Sequence, residues 1–301
     1  MNKNKKTKYQ FLKINTIKGH NDTITSISIF PSGNLISVSL DKSIKIWDST
    51  FNLIQFIKKA HNGAILDVSI KDDNNFITCS TYIKIWNKKK NNFMLNAIIN
   101  NIDYDIIKKI LYFQNKQIIS CSYDNIIIWE KNKKKKYQFV TIINLKNIES
   151  ILLFENENLL IFSGWVGTGF LKINTYQLIN FIQDAKSYCK DGMKKLDYDK
   201  IIIGEGSKIK IISITTQRII KIIKDIDCKI ICVLNDKNIF LTGGYEIGKY
   251  YKDINVFRCD NYKLIHIIRG AHEDEIYGIT YLKNEKFCSF SADKTLKIWL
   301  L

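Results

Sequence analysis

Short runs of alternating apolar and polar residues dominate the chain, and one of them recurs. SIKIW ends at Trp47, YIKIW at Trp86, NIIIW at Trp129 and TLKIW at Trp299. Weaker copies end at Asn174 (FLKIN), Ile212 (KIKII) and Phe257 (DINVF). Successive ends lie 39, 43, 45, 38, 45 and 42 residues apart, the period of a four-stranded repeat module. The runs between them (TITSISIF and NLISVSL in the first unit) are short and rich in β-branched residues. Turn residues such as Pro31-Ser32-Gly33-Asn34 separate them. Helical periodicity is nowhere sustained. The pattern predicts an all-β fold of seven repeated sheets, each too small to stand alone.

A second marker keeps step with the first. Gly19-His20, Ala60-His61 and Ala271-His272 precede their units, and both His20 to His272 and Trp47 to Trp299 span 252 residues. After Trp299 only two residues remain, so the seventh unit lacks a fourth strand. An unassigned strand-like run at about residues 9–17, YQFLKINTI, precedes the first Gly-His and fits that place. Pairing it with the last unit would remove two open sheet edges and bring the strand count to four times seven.

These residues resemble the WD40-repeat family. The best units are GHNDTITSISIFPSGNLISVSLDKSIKIWD from residue 19 and AHEDEIYGITYLKNEKFCSFSADKTLKIW from residue 271. The resemblance implies a seven-bladed β-propeller over residues 9–301 behind a basic tail, 1–8. It also implies a polar tetrad in each good blade, linking histidine, serine or threonine, aspartate and tryptophan. Carried onto this chain, the first tetrad is His20, Ser37 or Ser39, Asp41 and Trp47. The last is His272, Ser289 or Ser291, Asp293 and Trp299. Unit two retains His61 and Trp86 in a shortened turn without the aspartate. Unit three retains Asp124 and Trp129, with Asn101-Ile102-Asp103 where the histidine would stand. Units four to six lack the histidine, and none of the three has a tryptophan at the strand end. A buried imidazole, indole N–H and carboxylate each need partners, so these histidines have a structural role to fill before any catalytic one.

The remaining chemistry is sparse. The formal charge is +17, yet only Arg218, Arg258 and Arg269 are arginines. Lysine is a diffuse point charge, and richness in Lys, Asn and Ile points to an AT-biased genome as its source. Seven cysteines without a C-x-x-C pair read as small thiols in a reducing compartment, and neither metal nor cofactor is expected. No apolar run spans a bilayer and no secretory signal opens the chain, so a cytoplasmic or nuclear protein without membrane attachment is expected. The 204–208 segment, GEGSK, lacks the phosphate-loop spacing and reads as the hairpin of unit five. With no catalytic constellation, the chain is expected not to be an enzyme. It reads as a scaffold or adaptor, a lone ring or a subunit of a larger complex, that takes protein or peptide partners on one face. Candidate anchors are Trp165 in SGWVGTGF, which could equally fold back onto the ring, Tyr123, and Tyr245, Tyr250 and Tyr251. The alternative is RNA or ribosome association through the basic surface.

Overall fold

A computed structural model describes residues 10–103, 105–113, 117–243 and 252–301. Seven antiparallel sheets follow one another along the chain. In blade 1 the strands are Ile24–Ile29, Leu35–Ser39, Ile44–Trp47 and Leu53–Ile57, running from the innermost strand to the outer one. Blades 2 to 4 and 6 repeat that order. In blade 5 the second and third strands form one continuous stretch, Lys200–Ser213. It doubles back at Gly206, whose φ of +59° suits glycine, and Ile214 N–H donates to the Asp199 carbonyl across the hairpin. The GEGSK segment is therefore a turn, as its sequence indicates.

Blade 7 supplies Ile276–Lys283, Lys286–Ser291 and Thr295–Leu300, and its outer strand is Leu12–Lys18 from the other end of the chain. The register runs from Leu12 opposite Leu300 to Lys18 opposite Thr295. The innermost strands touch in sequence around the ring, and that of blade 1 meets that of blade 7. The chain is thus a closed seven-bladed β-propeller.

Packing explains why the pattern was so regular. Among the described residues the buried apolar side chains fall into seven clusters, each shared by two neighbouring blades. The junction of blades 7 and 1 joins Cys288, Phe290, Leu296 and Ile298 to Ile24, Ile27, Leu35 and Trp47. Every sheet is covered on both faces, so second strands such as Leu35–Ser39 are buried at each position. Outer strands face water, and Leu12–Lys18 is exposed along almost its whole length. No helix is long and apolar enough to cross a membrane.

Candidate interaction face

Strand direction alternates within a blade. The turn between second and third strands and the connection into the next blade therefore emerge on the same face. The Gly-His and Ala-His segments, Asp41, Tyr123 and Trp165 all belong to that face, and polar clasps fix its loops.

In blade 1, His20 Nδ1 lies 3.1 Å from Asp41 Oδ2 and Nε2 lies 2.9 Å from Ser37 Oγ. A carboxylate can only accept, so Nδ1 carries the proton and Nε2 accepts from the hydroxyl. The Trp47 indole N–H donates to the same Ser37 oxygen at 3.0 Å. Ser39 stands outside this chain. Its hydroxyl donates to the Asp22 carbonyl and accepts the Asp41 N–H. Blade 7 repeats the arrangement with His272 on Asp293 (2.8 Å) and Ser289 (2.6 Å), Trp299 on Ser289 (2.9 Å), and Ser291 in the role of Ser39. Burial would raise the Asp41 and Asp293 carboxyls, but hydrogen bonds led by those from His20 and His272 hold both well below the usual range.

This geometry separates the two serines of blade 1. Ser37→Ala leaves a buried indole N–H and a buried imidazole without their shared partner, a loss of roughly 2–4 kcal/mol. Ser39→Ala is expected to cost about 1 kcal/mol, because turn backbone can find water. Urea unfolding of both variants checks the order, and equal or reversed losses would contradict it.

The other blades depart from this scheme in instructive ways. In blade 2 His61 Nε2 and the Trp86 indole converge on Thr78 Oγ1, each at 2.8 Å. No aspartate follows, and His61 Nδ1 is buried with no hydrogen-bond partner among the described residues. Tyr82 stacks on the ring instead, at 5.3 Å. Burial, followed by the nearby Lys84 charge, pushes the His61 pKa down to about 3, which keeps the imidazole neutral. In blade 3 Ser120 accepts from Trp129, but Asp124 meets no histidine and accepts the Asn147 N–H at 3.0 Å. Asp103 holds Ser122 and Asn125 there. Blade 4 has its own clasp, in which Ser163 and Thr168 share a hydrogen bond and Thr168 donates to the Ala185 carbonyl. Thr78 and Ser120 were missed in the sequence. Thr78 follows His61 by the same 17 residues that separate Ser37 from His20, which is the signal that could have found it.

Across blades 3 to 5 the same face carries a connected row of aromatic and charged groups. The Lys108 ammonium sits 3.7 Å from the centre of the Tyr123 ring and 2.9 Å from Glu149 Oε1. Trp165 donates its indole N–H to that same Glu149 oxygen at 3.2 Å, and its ring meets Tyr188 edge-on at 5.5 Å. Trp165 stays outside the core, 52% exposed, and Tyr123 is 39% exposed. Its hairpin is held close to the ring: the Trp165 N–H donates to the Asn147 carbonyl, and any Cβ on Gly164 would collide with that oxygen. Lys108, Glu149 and Tyr188 carry no motif in the sequence. Tyr245, Tyr250 and Tyr251 lie outside the described residues.

Near the axis, charged groups cross the channel. Lys190, in the connection between blades 4 and 5, reaches the carbonyls of Thr25 (2.9 Å) and Leu66 (2.7 Å) and the Asp67 carboxylate (3.1 Å). Asp67 also accepts from Ser26 Oγ (2.7 Å) and Ile110 N–H (3.0 Å). Asp191 binds Lys194 and Lys109 at 2.7 and 3.4 Å. Burial would raise the Asp67 carboxyl, but the Lys109 and Lys190 charges and Ser26 hold it down. Beyond this network the channel opens as a cavity of about 580 Å3 toward the opposite face.

Among the described residues, no group of three or more histidine, cysteine or acidic side chains is placed to hold a metal. All seven cysteines are free thiols, five of them buried.

The family model for WD40 (WD domain, G-beta repeat) matches residues 11–48 and 262–299. Those stretches are the donated strand with blade 1, and blade 7 with the outer strand before it. The two matched stretches and the seven blades closed into a ring together support a WD40-repeat β-propeller. No curated protein matches it significantly.

Proposed function

We propose that the propeller is a non-catalytic scaffold that binds a protein or peptide partner through the row formed by Tyr123, Lys108, Glu149, Trp165 and Tyr188. The observation that carries this reading is a half-exposed tryptophan whose orientation is already fixed by Glu149 and Tyr188. A preset aromatic loses little entropy on binding and buries much area, the property of a binding hot spot. The fate of the histidines supports the absence of catalysis. His20, His61 and His272 are committed to blade hydroxyls, and His266 stacks on Phe11 at 5.0 Å. WD40 propellers commonly serve as protein-interaction scaffolds.

Trp165→Ala is expected to weaken a native partner roughly thirtyfold, the effect of removing one strong anchor, with the melting temperature unchanged. Quantitative co-purification from the native cells, comparing wild type, Trp165→Ala and the outer-strand control Leu178→Ala, provides the check. Loss of the same proteins from both variants, or from neither, would reject the site.

A further inference from the structure

On the opposite face a groove of about 340 Å3 runs between blades 2 and 3. That volume lies within the range of small-ligand pockets. Lys71, Lys131, Lys135 and Lys136 line it together with Tyr112 and Tyr137, and no acidic side chain does. None of these four lysines has an ion-pair partner among the described residues. The positive charge continues on either side, through lysines 88–90 of the adjacent turn of blade 2 and 133–134 of blade 3. Lys109, Lys190 and Lys194, by contrast, are paired with Asp67 and Asp191.

We infer that this groove binds single-stranded nucleic acid, with its lysines on the phosphates and its tyrosines against a base or ribose. Three features favour that ligand over a membrane surface. The site is a recess and not a plane. Two aromatic rings, each partly buried against the core between blades 2 and 3, line it beside the cationic track, with the Lys131 ammonium 5.7 Å from the centre of the Tyr137 ring. Lysines beside aromatic rings are the combination that holds unpaired bases without regard to sequence. Asn87 and Asn96 complete the lining and offer both donors and acceptors, whereas the Asn75 amide donates to the Asp72 carboxylate at 2.7 Å. Burial raises the pKa of both phenols, Tyr137 and the Asp72 carboxylate adding to the effect on Tyr112, so each hydroxyl stays protonated and can donate to an anionic oxygen. Lysine in place of arginine predicts attraction to the backbone and little base selectivity. The site is independent of the aromatic row on the other face.

Fluorescence anisotropy with a labelled oligouridylate of about twelve nucleotides tests the inference, with salt titrations on each variant. Four phosphate contacts predict a slope of log affinity against log salt of roughly −3, since single strands contribute about −0.7 per contact. The triple variant Lys131→Gln/Lys135→Gln/Lys136→Gln should bring the slope near −0.7 and weaken binding at least about tenfold. Lys42→Gln/Lys59→Gln/Lys186→Gln, on the other face, removes the same charge and should change affinity less than about twofold. Tyr137→Leu should weaken binding roughly fivefold or more while leaving the salt slope unchanged, because it removes stacking and not charge. Equal losses from the two triple variants would overturn the inference by tracing the attraction to net charge. So would sedimentation with phosphatidylserine vesicles without measurable oligouridylate binding, which would make the groove a lipid headgroup site.

Discussion

Removal of residues 1–18 should lower the melting temperature by roughly 10 °C or more and render the protein prone to aggregation. The deleted strand pairs with Thr295–Leu300 over most of its length. Phe11 packs against the blade 6–7 core and Ile17 against the blade 7–1 core. Phe11 also stacks on His266 of blade 6 and meets Phe287 of blade 7, so the segment ties two blades together. Net hydrogen bonding and apolar burial together amount to something on the order of 5 kcal/mol or more. Loss of the strand also leaves the third strand of blade 7 with an unpaired edge, a template for non-native pairing. A synthetic peptide of residues 10–18, added in trans, should recover much of the stability. Scanning calorimetry provides the measurement, and an unchanged melting temperature would contradict the role given to this strand.

The second large effect is expected at the axis. Asp67 is 2% exposed and takes hydrogen bonds from Ser26, Ile110 and Lys190. Asp67→Asn keeps the shape but leaves the Lys190 charge buried against carbonyls alone. Breaking a buried pair in this way costs roughly 3–5 kcal/mol, which should lower the melting temperature by about 5–15 °C. Asp67→Asn/Lys190→Met should be more stable than Asp67→Asn, since removing both charges relieves the uncompensated one. Additive losses in the double variant would show that the pair is not coupled and that Lys190 matters only through its carbonyl contacts.

Much of this architecture was legible in the sequence for a physical reason. A sheet buried on both faces must be apolar throughout, and its third strand must end in a bulky group that fills the junction. Hence the run before Trp47, Trp86, Trp129 and Trp299 recurs with the period of a blade. Where the indole is absent, the position stays apolar but loses its label: in blade 4 it is Leu171, opposite Leu160 as Trp47 is opposite Leu35, and not the exposed Asn174 three residues on that the sequence pattern suggests. Phe257 stacks on Phe240 at 4.9 Å in blade 6, and the Thr242 hydroxyl, with no indole to receive, is buried without a hydrogen-bond partner among the described residues. Nothing local in the sequence distinguishes Phe257 from any other core phenylalanine.

The functional surfaces were less legible because they are assembled across blades. Trp165 and Tyr123 stood out as aromatics in turns, but Glu149 and Lys108, which connect them, are ordinary charged residues, one at the start of strand Ile148–Phe154 and one just before strand Lys109–Phe113. Lys190 is further removed, with partners 124 and 165 residues away. In the sequence the lysine run at 133–136 is a charged turn with no feature beyond solvation, whereas the fold sets Lys135 and Lys136 in one groove with Lys71 and two tyrosines. Spacing along a chain reports what one module repeats, whereas contacts made once around the ring leave no period.

The closed ring rests on strand Leu12–Lys18 lying beside Thr295–Leu300, and a cysteine pair probes that contact directly. Thr16 and Lys297 are opposed in the register, within the Cα separation that a disulfide bridges. Thr16→Cys/Lys297→Cys should therefore form an intramolecular disulfide under mild oxidation, seen by mass spectrometry and by faster migration on a non-reducing gel. Failure of the two thiols to join within one chain, in protein that is otherwise folded, would contradict the closure.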